Sequence, residues 1–166
     1  MCYSSEIILL FAILNLFSCN TENKDPQEGP LVFTGLTMTD DLGQNLSYDT
    51  NDWKLYELWS PGEKGLFTTH TKTICDTSST KWQISAYPNP CGKVLNLWVS
   101  KPDSAMLNLR LVDPNLKVLF SADSIAVRNF SMNIESLNLP RGIYRIYYQL
   151  HGNDCQLNGH GDVEIQ

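Results

Sequence analysis

Four side chains with metal-binding atoms crowd a short stretch near the end of the sequence: His151, Asp154, Cys155 and His160. Imidazole, thiolate and carboxylate together form a zinc donor set, but their spacing here matches no zinc pattern. The four read as polar residues of a hairpin, and no metal is expected. Asp40, Asp41, Asp49 and Asp52 could contact calcium. They lack the alternate-residue aspartates and closing glutamate of a calcium loop, so a solvated acidic face is expected. The sequence has no G-x-S-x-G, H-E-x-x-H, phosphate-binding loop or C-x-x-C. Nothing in the spacing of its three histidines and many serines selects a triad. No catalytic residue and no cofactor are expected, and the chain reads as a non-enzyme. Trp98 and Tyr147 are better placed, because each lies opposite the apolar residues of its own segment. An exposed ring there can stack on a sugar or a peptide. Cover by the N-terminal part of the chain is the other reading.

The elements that position these residues are short and alternate in polarity. Leu95, Leu97 and Val99 share one face, as do Leu107, Leu109 and Leu111, with Asn108 and Arg110 opposite. Asp113-Pro114-Asn115 makes a turn into "KVLF". Phe130, Met132 and Ile134 alternate with Ser131 and Asn133, and Tyr144, Ile146, Tyr148 and Leu150 with Arg145, Tyr147 and Gln149. "DVEI" adds Val163 and Ile165. Period-two runs are half-buried strands. No stretch shows a helical period. Such strands at near ten-residue spacing predict an all-β fold, an Ig-like antiparallel β-sandwich of about seven strands with a small N-terminal β extension. "YPNP", Tyr87 to Pro90, precedes the second strand. Proline lacks an N–H and pushes the residue before it to extended geometry, so the motif should hold Tyr87 and Asn89 extended and end an edge strand.

Leu31 to Cys75 is the only room for a separate activity. A strand, a turn at Asp41-Leu42-Gly43, and strands in "LYELW" and "GLFTTHTKTI" on either side of a Pro61-Gly62 turn are expected there. So short a segment barely makes a core, so it should pack on the sandwich or form a small loose β-unit. The 166 residues carry a net charge of −6, which argues against a nucleic-acid partner. The charge is uneven. Asn20 to Lys81 holds ten acidic and five basic residues, whereas from Trp82 onward seven of each sign cancel.

Ile7 to Phe17 is apolar apart from Asn15. The run is too short to span a bilayer and has the length of a signal-peptide core. Leu16-Phe17-Ser18-Cys19 follows and resembles a bacterial lipobox. The resemblance implies cleavage before Cys19 and lipid on its thiol, which gives a stable membrane anchor when more than one chain is attached. "NTENKDPQEGP", Asn20 to Pro30, reads as a flexible tether. The chain thus divides into a lipoprotein signal peptide (1–18), a tether (19–30), a small acidic β-rich segment (31–80) and the sandwich (81–166). Cys2 leaves with the signal, so Cys75, Cys91 and Cys155 remain in a disulfide-permissive compartment. If strands alternate up and down, Cys91 lies at one end, in the first turn, and Cys155 at the other, in the last hairpin. Cys75 precedes the first strand and starts near the Cys155 end. Cys75–Cys155 is the favoured pair, and no pairing is the alternative.

"YPNP…LNL" at Tyr87 to Leu97, "LRLVDPNLKVL" at Leu109 to Leu119 and "IESLNLPRGIYRIYY" at Ile134 to Tyr148 together resemble a known family. It is the C-terminal sorting domain (type A) of the type IX secretion system of Bacteroidota-type bacteria. The likeness covers residues 82–166. It marks Tyr87, Pro88, Asn89, Pro90, Leu139, Pro140, Gly142 and Tyr144 as sorting-motif residues, and Tyr144 as a tyrosine corner tying a turn to backbone. The last strand, "GHGDVEIQ", is acidic where the family carries lysine. Asp103-Ser104-Ala105 and Asp123-Ser124-Ile125 resemble the O-glycosylation sequon of the same bacteria. The resemblances imply a lipid-anchored protein of the cell envelope, periplasmic or surface-exposed, delivered to or displayed at the outer membrane with the type IX secretion machinery as partner. The alternative is a binding module for a glycan or protein ligand, with the sandwich only structural.

Overall fold

The structure is a computed structural model that describes residues 30–33, 35–68, 73–78, 82–152 and 154–166. The signal run and the lipobox Cys19 lie outside the described residues. The strands are β1 (Met38–Thr39), β2 (Asn45–Ser47), β3 (Gln83–Tyr87), β4 (Val94–Ser100), β5 (Met106–Val112), β6 (Val118–Ile125), β7 (Asn129–Asn133), β8 (Gly142–His151) and β9 (Gln156–Ile165). A four-residue helix α1 (Pro61–Lys64) and a 3-10 turn (Glu135–Leu137) complete the described elements.

The fold is an antiparallel β-sandwich. One sheet has the order β3-β4-β7, the other β6-β5-β8-β9, and β1-β2 form a separate two-stranded ribbon. The alternating residues do what their period requires. Leu95, Leu97 and Val99 of β4, Leu107, Leu109 and Leu111 of β5, and Ile146, Tyr148 and Leu150 of β8 form one buried core between the sheets. Burying each such side chain contributes about 1.5–3 kcal/mol before conformational entropy is set against it. β3 lies at a sheet edge and ends at Tyr87, as the prolines after it require.

Residues 31–67 are not a separate unit. They add a third layer on the outer face of the four-stranded sheet, where Trp59 and Phe67 join Val112 and Tyr147 in a second buried cluster flanked by Leu31, Leu66 and Leu116. Among the described residues, neither strand expected beside the Pro61-Gly62 turn forms. Leu55 to Trp59 makes one isolated bridge, Tyr56 to Asn158, and the run after Gly65 makes one, Ile74 to Gln156. The Pro61-Gly62 turn is instead the first turn of α1, and this also corrects the expectation of no helix. Ser60 caps it by accepting from the Glu63 amide, and the Glu63 carboxylate accepts from the Ser60 amide. Ser-Pro-x-Glu is a capping box with proline at the first helical position, where no N–H is needed.

The third layer, together with residues 73–75 and Cys91, closes the free edge of β9, which would otherwise be open to another strand. Gln156 N donates to Thr73 O at 2.9 Å, Glu57 N to Asn158 O at 2.9 Å, Trp53 N to His160 O at 2.8 Å, and Cys91 N to Glu164 O at 2.8 Å. Two glycines permit this approach. A Cβ at Gly159 would sit 2.0 Å from the Lys54 carbonyl oxygen, and one at Gly161 would sit 2.2 Å from the Trp53 ring. Tyr148 meets the same segment from the core, stacked on Trp53 with ring centroids 5.9 Å apart and its hydroxyl bonded to Lys54 O.

Candidate functional site

The YPNP motif is a junction. Both of its X-Pro bonds, Tyr87–Pro88 and Asn89–Pro90, are cis. Asn89 is fully buried. Its Nδ2 donates to Thr37 O at 2.7 Å and Asp162 O at 3.0 Å, and its Oδ1 accepts from Glu164 N at 2.9 Å. Its backbone exchanges both bonds with Thr39. One side chain therefore ties the three-stranded sheet to β9 and to the N-terminal layer. Sequence reasoning placed Asn89 at a strand end and missed this clamp.

The second motif closes the other corner. Tyr144 O–H donates to Pro140 O at 2.8 Å, while Leu139 packs on the core and Gly142 opens β8. Burial pushes the Tyr144 phenol above its ordinary pKa, helped by the charge of Asp113. Tyr144→Phe removes that bond and leaves the ring in place. It should cost about 1 kcal/mol and lower the melting temperature by about 2–4 °C, read by circular dichroism.

Cys75 and Cys155 form a disulfide with Cα atoms 4.7 Å apart. Cys91 is buried, and burial pushes its thiol up to about 11.

Outward side chains of β8 and β9 build a buried polar network beneath the third layer. Arg145 and Asp162 pair across the strands at 2.6 and 2.8 Å, and the guanidinium lies 5.2 Å over the Phe33 ring. Burial works against the arginine charge, but Asp162 holds it. Asp52 is 3% exposed, not part of a solvated acidic face. It accepts from Thr37 N at 2.7 Å and Asp162 N at 3.1 Å. Asp40 and Asp49 instead hold turn amides, those of Leu42, Gln44 and Asn51. Asp52, Asp162 and His160 bring ligand-type atoms within 4.8 Å of one another. Arg145 pairs with Asp162, backbone amides donate to Asp52, and Glu57 Oε2 lies 2.6 Å from His160 Nδ1. Of the expected hairpin residues His151, Asp154, Cys155 and His160, only His160 belongs to it.

Burial, and next the Asp162 charge, holds Asp52 above the usual carboxylate range against the pull of the two amides. A folded-state value above the unfolded one means that the group's contribution to stability is complete below about pH 3.9 and is lost as pH rises through the folded value. The stability of the wild type minus that of Asp52→Asn should therefore fall as the pH is raised above about 3.9, read by urea denaturation of both chains at each pH.

Above this network lies an open groove of about 410 Å³. Lys54, Tyr56, Glu57, Leu58, Trp59, Glu63 and His160 line it. The two aromatics singled out in the sequence part company. Tyr147 is fully buried under Trp59, edge-on at 5.6 Å between centroids, and its hydroxyl donates to Glu63 Oε1 at 2.6 Å. Trp98 is 38% exposed on the outer face of the three-stranded sheet, level with Ser85 and Asn129. Ser104 and Ser124 of the two sequon-like triplets are exposed. Among the described residues no helix is long and apolar enough to cross a membrane. No known protein family, curated protein or solved structure matches this chain.

Proposed function

We propose that this chain is a lipid-anchored cell-envelope protein whose sandwich acts as a type IX sorting-type address and stays with the protein after delivery to the outer membrane. The observation that carries the reading is that the two motif blocks coincide with the two fasteners of the fold. Asn89 of YPNP bonds both β9 and the N-terminal segment at Thr37, and Tyr144 of L-P-x-G-x-Y closes the β8 corner. A likeness that rests on fold-determining residues supports a shared domain more than one resting on scattered surface positions. The disulfide suits an oxidising compartment outside the cytoplasm. It also joins residue 75 to residue 155, so a cut between Cys75 and the sandwich leaves the pieces linked.

The test is surface labelling of intact cells with a membrane-impermeant biotin reagent, combined with radiolabelled palmitate. The wild type should take both labels at full length. Cys19→Ala should lose palmitate. A strain lacking the type IX translocon should keep palmitate on the protein but lose the biotin. Unchanged biotin labelling in that strain removes the sorting role, and unchanged palmitate in Cys19→Ala removes the anchor.

A further inference from the structure

We infer that the groove beside His160 is a binding site for a neutral saccharide. The inference is independent of how the chain reaches the envelope, because it rests on four observations at the groove itself. Its carboxylates are fixed in place. Glu63 is held by Tyr147 and the Ser60 amide, and Glu57 by His160. An ionised carboxylate has about four lone-pair sites, so each retains acceptor capacity toward a ligand hydroxyl. Second, Trp59 lines the groove, is only 5% exposed, and its Nε1 is the one buried side-chain polar atom without a partner among the described residues. A buried indole N–H normally finds an acceptor.

Third, the charges are mixed. Lys54 and His160 stand among Glu57 and Glu63, so an anion meets two carboxylates and a cation meets the ammonium. A hydroxyl suits both kinds of neighbour, since it donates to a carboxylate and accepts from an N–H. Fourth, Tyr56 lines the groove and is 48% exposed, and a ring so placed can cover the C–H face of a sugar. The volume lies toward the small end of natural ligand sites, which suits a short saccharide unit.

The experiment presents the fluorescently tagged protein, disulfide intact, to an array of neutral and acidic glycans. The neutral glycan bound best is then titrated into protein labelled with nitrogen-15 at indole nitrogen. Neutral glycans should bind in preference to sialylated or uronate-bearing ones. The indole signal that disappears in Trp59→Phe should move on titration, while that of Trp98 stays. Tyr56→Ala alters an exposed side chain and should weaken binding about tenfold, as should Glu57→Gln through its contact with the ligand. An array with no neutral binder overturns the inference. So does preference for acidic glycans, affinity unchanged in Tyr56→Ala, or movement of the Trp98 signal in place of that of Trp59.

Discussion

Reducing the Cys75–Cys155 disulfide should remove about 4–5 kcal/mol of stability. The bridge spans a sequence separation of 80 residues. Closing a loop restricts the unfolded chain by roughly 3 kcal/mol for 15 residues and roughly 4.7 for 100, so this bridge sits near the upper figure. In the folded state it pins residues 73–75 against the start of β9 through the Gln156 bonds. The buried Cys91 thiol, pushed up to about 11, is a poor thiolate and will not scramble the bond. Urea titrations with and without dithiothreitol, and of the Cys75→Ala, Cys155→Ala double variant, measure the effect. A denaturation midpoint that does not move on reduction means that the third layer holds without the bridge.

Asn89→Ala is the second large effect. It strands the Glu164 amide and takes a donor from both the Thr37 and Asp162 carbonyls, at a fully buried position. Each buried group left without its partner costs about 1–3 kcal/mol, so a total of about 3–5 kcal/mol is expected. Hydrogen exchange at the Glu164 amide gives a local readout, with protection lost first there. A loss below about 1 kcal/mol would mean that water takes over the three bonds and that the clamp is not decisive.

How far the sequence foretold this structure depends on the range of the interaction. β4, β5 and β8 were legible because their large aliphatics recur every second residue and need only a core to face. β9 showed its alternation only at Val163 and Ile165, though the strand runs from Gln156 to Ile165, because Gly159 and Gly161 interrupt the apolar pattern. They make room for the Lys54 backbone and the Trp53 ring, partners about a hundred positions away. The segment 55–59 alternates like a strand, yet it lies against a sheet edge and makes one isolated bridge. The Ser60–Glu63 capping box was readable from its spacing alone and was passed over as a turn. Asp52 looked solvated because nothing local signals that the Asp162 amide will reach it. The groove was illegible for the same reason: Tyr56, Glu57 and Trp59 gain meaning only beside His160.

The sealed margin of β9 bears on the order in which the molecule can assemble. The strand needs residues 53–57, 73–75 and 91 alongside it, all of which leave the ribosome or a membrane pore well before it does. Trp59 and Phe67 rest on Val112 and Tyr147, and Trp53 stacks on Tyr148, so none of the three has its full sheet until β8 is made, and contacts so distant in sequence form slowly. A chain emerging amino end first must therefore remain loose, or be held by a chaperone, until its last hairpin arrives.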